Sequence, residues 1–365
     1  SRSPPDLLDI VKRSLATAGL SEDAATIAAH SRRASTRGVY ASRLRHFYKW
    51  CKRQAADPAS ALVGEIGDFF VYLFRRQLAI GTIRNYRSAI AAIHTGFADG
   101  STVSNNRALS QLIRGMFVER PPAQKLIPSW DLSQVLQALT KPPFEPLGQA
   151  PLTKASIKVA FLLAAATARR RSELQSLTIE PGHIRWEQGG VRLIPRVGFL
   201  TKNQSPSFQP PDIFVPELKS MSSVPEDKLW CPVRALKWYL SRTKHLRGDC
   251  SQLLITSIPT YRAASKDTIA RWIVQAIKAA SADAWPTPPD TPVHAHEVRA
   301  MVTSWAFFKG VPISDITQAA CWKTSNTFTS CYLKDVLQQE GRMGRAALTT
   351  AKPSTSQRGR PAEDR

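Results

Sequence analysis

Beyond Ser35 the apolar residues Tyr40, Leu44, Phe47, Tyr48 and Cys51 recur at three- and four-residue steps, the spacing of a helix with one buried face. Thr36 is the expected N-cap, and Arg37, Arg43, Arg45, Lys49, Lys52 and Arg53 fall on the opposite face. The same period predicts helices over Val63–Arg76, from Gly81 through Ile83, Tyr86, Ile90 and Ile93, and over Asn105–Phe117. Residues 26–118 therefore read as a small all-helical domain. Residues 1–25 hold Ser, Pro and Ala around one short apolar stretch, Leu7 to Val11, and read as a flexible N-terminal arm with a single helical turn.

The period breaks at Glu119-Arg-Pro-Pro-Ala-Gln-Lys125, where paired prolines favour extended chain, so 119–127 reads as a linker. A second domain, 128–337, follows. Helices are expected at Trp130–Leu139 and Thr153–Ala168. Short β-prone runs bounded by Gly-Gly or Pro clusters then appear at His183–Trp186, Val191–Arg196 and Asp212–Val215, which suggests a small antiparallel sheet. Helical spacing resumes at Pro232–Arg242, Lys266–Ala280, His296–Phe308 and Ile313–Ala320, with a last short helix around Thr327–Leu337. Residues 338–365, rich in Gly, Ser, Thr, Pro and Arg, read as a disordered basic tail.

Composition adds a partner. The 365 residues are 43% hydrophobic with nine Trp, an ordinary globular balance, but 50 Lys and Arg stand against 28 Asp and Glu, a net charge of +22. Such an excess repels itself unless a polyanion supplies counter-charge, and nucleic acid is the first candidate. Residues 31–120 alone hold 15 basic against 5 acidic side chains. Arg37, Arg43, Arg45, Lys49, Arg84 and Arg87 are therefore candidate phosphate contacts to double-stranded DNA. The longest apolar run, Val159 to Ala168, is about half of the roughly 20 residues a membrane span needs, and SRSPPDLLDIVKRS lacks a signal-peptide core. Five scattered cysteines without a C-x-x-C pair (Cys51, Cys231, Cys250, Cys321, Cys331) suggest neither a disulfide framework nor a zinc site. No membrane contact is expected, and the thiols are expected to be reduced and intracellular.

Chemistry is suggested by order. Taken singly, arginines, histidines and tyrosines are usually surface or satisfied core groups. Thr167-Ala-Arg-Arg-Arg-Ser-Glu-Leu174, then Lys202 between two strands, then His296-Glu-Val-Arg299, Trp322 and Tyr332 together resemble the active-site series of the tyrosine recombinases, the λ-integrase family. The resemblance runs from about Ser35 to Leu337. More locally, Leu229-Trp-Cys-Pro-Val-Arg-Ala-Leu236, Ser304-Trp-Ala-Phe307, Ala320-Cys-Trp-Lys-Thr-Ser-Asn-Thr-Phe328 and Cys331-Tyr332 resemble recombinases of DIRS-type retrotransposons and related eukaryotic elements. The resemblance implies a two-domain architecture, an all-α SAM-like core-binding domain and a mixed α/β catalytic domain with helices around a small antiparallel sheet. It also implies a nuclear location, closure of the two domains around duplex DNA, a homo-oligomer that is tetrameric in synapsis, and no metal ion or cofactor.

Residue types support that chemistry. Attack on a phosphodiester builds negative charge on the non-bridging oxygens, and two guanidiniums offer planar, permanently charged donors to meet it. Arg170 and Arg299 are the choices. If Arg169 to Arg171 are helical, successive side chains point about 100° apart and only one faces the phosphate. The family spacing of an arginine three positions before an acid selects Arg170, with Glu173 to orient and buffer it. A phenol, of ordinary pKa about 10, is a poor nucleophile at neutral pH, so Tyr332 needs positive neighbours and a proton acceptor, for which His296 is the choice. His294, two residues earlier, reads as structural. The resemblance makes Lys202 the general acid for the leaving 5′-hydroxyl, and Trp322, where many members carry His, an indole donor to the phosphate. Tyr239 and Tyr261 precede His-x-x-Arg and read as packing residues. Arg358-Gly-Arg-Pro361 matches the core of a minor-groove A·T-hook, a four-residue match that chance also produces. Two other readings remain: a recombinase-derived DNA-binding or architectural protein without catalysis, and a type IB topoisomerase.

Overall fold

Leu7–Thr17 and Glu22–Ala29 form helices α1 and α2, where the sequence suggests a flexible arm with one turn. Ile10 and Val11 of α1 pack on the apolar core of the helices that follow, and the Ser21 hydroxyl accepts the Ala24 N–H at 3.3 Å at the start of α2. Those two contacts order the segment. The computed structural model describes residues 7–17, 19–122, 130–202, 204–218, 228–284 and 293–334. The chain divides into two compact units, residues 1–124 and 125–365.

In the first unit α3 spans Ala34–Gln54, α4 Val63–Arg75, α5 Ile80–Ile90 and α6 Arg107–Glu119. Helix α3 begins ahead of Thr36, with Arg33 at the cap position and its carbonyl accepting the Arg37 N–H. Thr36 thus lies inside the first turn. Leu44, Phe47, Trp50 and Cys51 of α3 meet Ile66, Phe69, Phe70 and Leu73 of α4, and Ile83, Tyr86 and Ile90 of α5 close the same core. Burying one such large apolar side chain contributes about 1.5 to 3 kcal/mol. Asn106 caps α6 by accepting the Leu109 N–H at 3.1 Å. Residues 123–129, which hold most of the expected linker, lie outside the described residues.

The second unit is built on α8, Leu152–Thr167, buried from Ala155 through Ala164. It packs against α10 (Pro232–Thr243), α11 (Lys266–Ala284) and α12 (Glu297–Phe308), while α7 (Leu132–Ala138) packs on α11. Between α9 (Arg171–Gln175) and α10 lie three antiparallel strands in the order β1 (Ile184–Glu187), β2 (Gly190–Leu193), β3 (Ile213–Pro216). Trp186 is paired with Val191, and Leu193 with Ile213. Val191, Leu193, Ile213 and Val215 face the core. Gly190 allows close strand approach, because a Cβ there would lie 2.3 Å from the Val215 carbonyl oxygen and 2.7 Å from the Phe214 ring.

A buried ion network fastens the loop after α7. Lys158 has no exposed surface and donates to the Glu145 carboxylate at 2.5 Å and the Leu139 carbonyl at 2.8 Å, while Arg234 reaches Glu145 at 2.7 Å. Burial pushes the Glu145 carboxyl up, but hydrogen bonds from Arg234 and Lys158 outweigh it and leave it below the ordinary carboxylate value. Tyr239 also has no exposed surface. Its hydroxyl donates to the Ile255 carbonyl at 3.3 Å and accepts the Ile255 N–H at 3.0 Å, and burial pushes the phenol up. It is a core residue.

Helix α13 is Ile313–Ala319. The short helix expected at 327–337 is instead one turn, Ser325–Thr327, continued by a π turn over Phe328–Tyr332, with the Leu333 N–H bonded to the Phe328 carbonyl at 2.9 Å. Residues 335–365, including the expected tail and Arg358–Pro361, lie outside the described residues. Among the described residues no helix is long and apolar enough to cross a membrane, and no group of three or more His, Cys, Asp or Glu side chains is placed to hold a metal ion.

Candidate active site

Helix α8 ends where Ala168 takes a left-handed conformation, φ 49°, its N–H bonded to the Ala164 carbonyl. The chain then leaves the helix axis. Arg170 lies in extended conformation ahead of α9, so Arg169 and Arg170 precede the helix and only Arg171 is helical, in place of a continuous helical run. The consequence is that Arg169, Arg170 and Arg171 all line one cleft of about 650 Å³, together with Lys202, His296, Arg299 and Tyr332.

The three arginines are held differently. Arg169 is buried and donates from Nη2 to the Pro211 carbonyl at 3.1 Å, with its Nε left without a partner. Arg170 is half-buried. Its backbone N–H donates to Glu173 Oε2 at 2.9 Å and its Nη1 to Oε1 at 3.2 Å, while the Glu173 N–H returns to the Arg170 carbonyl at 2.8 Å. Glu173, 1% exposed, thus fixes the Arg170 backbone and side chain at once. Arg171 is exposed and paired with Asp267 at 2.8 Å.

Helix α12 brings the second guanidinium. Its start is tied down by Trp130, whose indole N–H donates to Glu297 at 3.3 Å. Arg299 is 4% exposed and gives one donor, Nη2, to the Ala320 carbonyl; its Nε and Nη1 are buried without partners among the described residues. Burial, then repulsion by Arg170, pushes its pKa down to about 10. The guanidinium carbon lies 4.7 Å from the Trp322 ring centre and 5.5 Å from that of Tyr332.

Trp322 is 2% exposed, stacks on Phe328 at 5.7 Å and meets the Tyr332 ring at 4.6 Å. Its indole Nε1 is buried and has no partner among the described residues. Trp322 is therefore a core residue by burial and an open donor by hydrogen bonding. The π turn carries Tyr332 to this position, with Phe328 fully buried as its anchor.

His296 sits at the cap of α12, one position before the helix, and exposes part of its ring to the cleft. Partial burial lowers its pKa below the ordinary histidine value, Glu297 opposing and His294, Arg171 and Lys334 adding to the shift. His294, read from sequence as structural, lines the same cleft and stacks on His296 with ring centres 5.7 Å apart. The two-residue spacing was the only sequence signal for it. Lys202 is exposed in a turn between β2 and β3, where the Gln204 N–H bonds the Thr201 carbonyl at 3.0 Å. Arg271 of α11 also lines the cleft, a cation the motif order did not pick out.

In the first unit Arg45, Lys49 and Arg84 are exposed, and Arg37 and Arg43 half-buried. Arg37 donates to the Arg32 carbonyl at 3.0 Å and Arg43 to the Val39 carbonyl at 3.2 Å. Arg87 differs from its grouping with the surface cations: Nε and Nη2 donate to the Val103, Ser104 and Asn106 carbonyls and the Ser110 hydroxyl at 2.7 to 3.2 Å. It ties α5 to the start of α6.

No family model matches the chain, and no curated protein matches it. Among solved structures it is similar to the integrase of transposon Tn1549 in complex with transposon right end DNA, at 12% identity over 94% of this chain and 99% of that one, TM-score 0.58. It is also similar to the XerH site-specific recombinase bound to palindromic difH substrate, post-cleavage, at 13% identity over 93% and 95%, TM-score 0.54. Helices around a small three-stranded antiparallel sheet, with this likeness, give the chain the fold of the tyrosine recombinase catalytic domain.

Proposed function

We propose that the chain is a site-specific DNA recombinase or integrase that cuts and rejoins strands through a 3′-phosphotyrosyl intermediate. The observation that carries this reading is a set of open donors beside one phenol. Arg299 Nε and Nη1 and Trp322 Nε1 are buried without partners, and both side chains touch the Tyr332 ring. Buried donors are costly unless satisfied, about 1 to 3 kcal/mol each and more for charged groups. The non-bridging oxygens of a phosphodiester would satisfy them, with Arg170 and Lys202 on the same cleft.

In the proposed step the Tyr332 phenol oxygen bonds to phosphorus as its proton passes to His296. The bond from phosphorus to the 5′-oxygen breaks, and Lys202 gives that oxygen a proton. Charge on the transition state is met by Arg170, Arg299 and the Trp322 indole. A 5′-hydroxyl from another strand reverses the sequence, so the phosphotyrosine conserves the bond energy and rejoining needs no nucleotide.

The first unit is proposed as the SAM-like core-binding half of a clamp around duplex DNA, with Arg37, Arg43, Arg45, Lys49 and Arg84 on phosphates. Assembly as a homo-oligomer on DNA, tetrameric in synapsis, belongs to the same proposal, as do a nuclear location and descent from a DIRS-like mobile element. The XerH complex and the Tn1549 complex support the DNA reading through their fold alone.

The test is a nicked suicide duplex carrying the cognate site, with a denaturation-stable, protease-resistant adduct as readout. Wild type should form the adduct and Tyr332→Phe should bind DNA without forming it. Binding by wild type with no adduct on a cognate duplex would return the chain to the DNA-binding, non-catalytic reading.

A further inference from the structure

Tyr332 is held by its backbone as well as by its ring. Ser304 lies on α12, the helix that carries Arg299, and has no exposed surface. Its hydroxyl donates to the Tyr332 carbonyl at 3.3 Å and accepts the Lys334 N–H at 2.9 Å. Between them the Leu333 N–H closes the π turn on Phe328. Three successive backbone groups at the nucleophile thus have fixed partners, two of them on a single oxygen.

A hydroxyl suits this place because it donates and accepts at once, whereas an aliphatic side chain can do neither. Serine and threonine inside helices ordinarily turn back to the carbonyl four residues earlier. Thr303 does so, donating to the Arg299 carbonyl at 2.7 Å. Ser304 turns outward to the tyrosine segment.

We propose that Ser304 is a positioning residue for Tyr332, joining the segment that bears the nucleophile to the helix that bears the phosphate-binding guanidinium. The assignment rests on the strand-transfer reading. It makes Arg299 and the Tyr332 backbone parts of one rigid body, so the phenol and the phosphate keep their spacing when the rest of the unit shifts.

The experiment compares wild type, Ser304→Ala and Ser304→Thr on the suicide duplex, measuring DNA affinity, single-turnover adduct formation, melting temperature and hydrogen exchange at the Lys334 amide. Ser304→Ala should bind DNA as wild type does, form adduct about 100-fold more slowly, the loss expected of a misplacement near 1 Å, and exchange the Lys334 amide faster. Ser304→Thr should recover most of the rate. Adduct formation by Ser304→Ala at the wild-type rate overturns the assignment, as does a parallel loss of DNA affinity and melting temperature, which marks a general structural role. No adduct from wild type on its cognate duplex overturns the strand-transfer reading first and this assignment with it.

Discussion

The Arg299 guanidinium lies 4.7 Å from the centre of the Trp322 indole, and Arg299 Nε and Nη1 and Trp322 Nε1 are buried donors without an acceptor among the described residues. The indole face attracts the cation but offers it no hydrogen-bond acceptor, so the contact only partly offsets the lost hydration. A pKa pushed down to about 10 expresses the remainder.

Arg299→Gln is therefore expected to stabilise the DNA-free protein while abolishing adduct formation. The folded-state value lies below the unfolded one, so the penalty is fully present at neutral pH. Its size is on the order of a few kcal/mol. Inorganic phosphate or vanadate should raise the melting temperature of wild type and leave Arg299→Gln unmoved; thermal denaturation with and without the anion checks both.

His296 should set the acid limb of the reaction. Partial burial and the neighbouring positive charges hold its pKa below the ordinary value, so its neutral, proton-accepting form persists to lower pH than usual. The rate of adduct formation should begin to fall only at pH values lower than those at which an ordinary histidine takes up its proton. His296→Gln should remove that limb and slow the reaction by about 100-fold or more, as a pH–rate profile would show.

The readable part of the fold and the unreadable part have physical causes. Leu44, Phe47 and Cys51, or Ile83, Tyr86 and Ile90, advertise their helices because burial on one face imposes the period. Gly189 and Gly190 advertise the turn between β1 and β2 in the same way. Ala168 gives no such notice: alanine favours helix, yet here it takes φ 49°, so Arg169 and Arg170 look helical when they are not and only Arg171 begins the next helix. The Glu145 network is equally silent, because its partners stand 13 and 89 positions away. In the site, motif order gathered Arg170, Lys202, His296, Arg299 and Tyr332, which share the cleft. It missed His294, since a lone histidine carries no mark of the cavity it faces.

Lys202 should matter to the leaving group and not to binding. Lys202→Ala should slow cleavage of an ordinary duplex by about 100-fold or more, yet cleave a duplex with sulfur in place of the scissile 5′-oxygen at close to the wild-type rate, because a thiolate departs without a proton. Equal losses on both substrates would remove Lys202 from the role of acid.

A second grip on DNA is expected from the first unit. Arg53 and Arg76 stand 5.7 and 5.6 Å from the centre of the Tyr72 ring, and Arg76 donates to the Tyr72 oxygen at 2.8 Å. Hydrogen bonds from Arg76 and then Arg53 pull the phenol's pKa down, and among the described residues neither arginine is paired with a carboxylate. Arg53→Ala with Arg76→Ala should weaken binding on any sequence and reduce the slope of log affinity against log salt by about 1.8, two phosphate contacts. Titrations across a salt series give the slope directly.

The tyrosine ring lies 5.5 Å from an arginine of its own chain and lines the cleft that the same chain's Arg170 and Lys202 line. On the proposed strand-transfer reading, Arg170, Lys202, Arg299 and Tyr332 of one copy act on the same phosphate. Cleavage within each copy is then the expected outcome. Mixing Tyr332→Phe copies with Arg299→Gln copies should restore nothing, whereas mixing either with wild type should leave the wild-type share of strands cut.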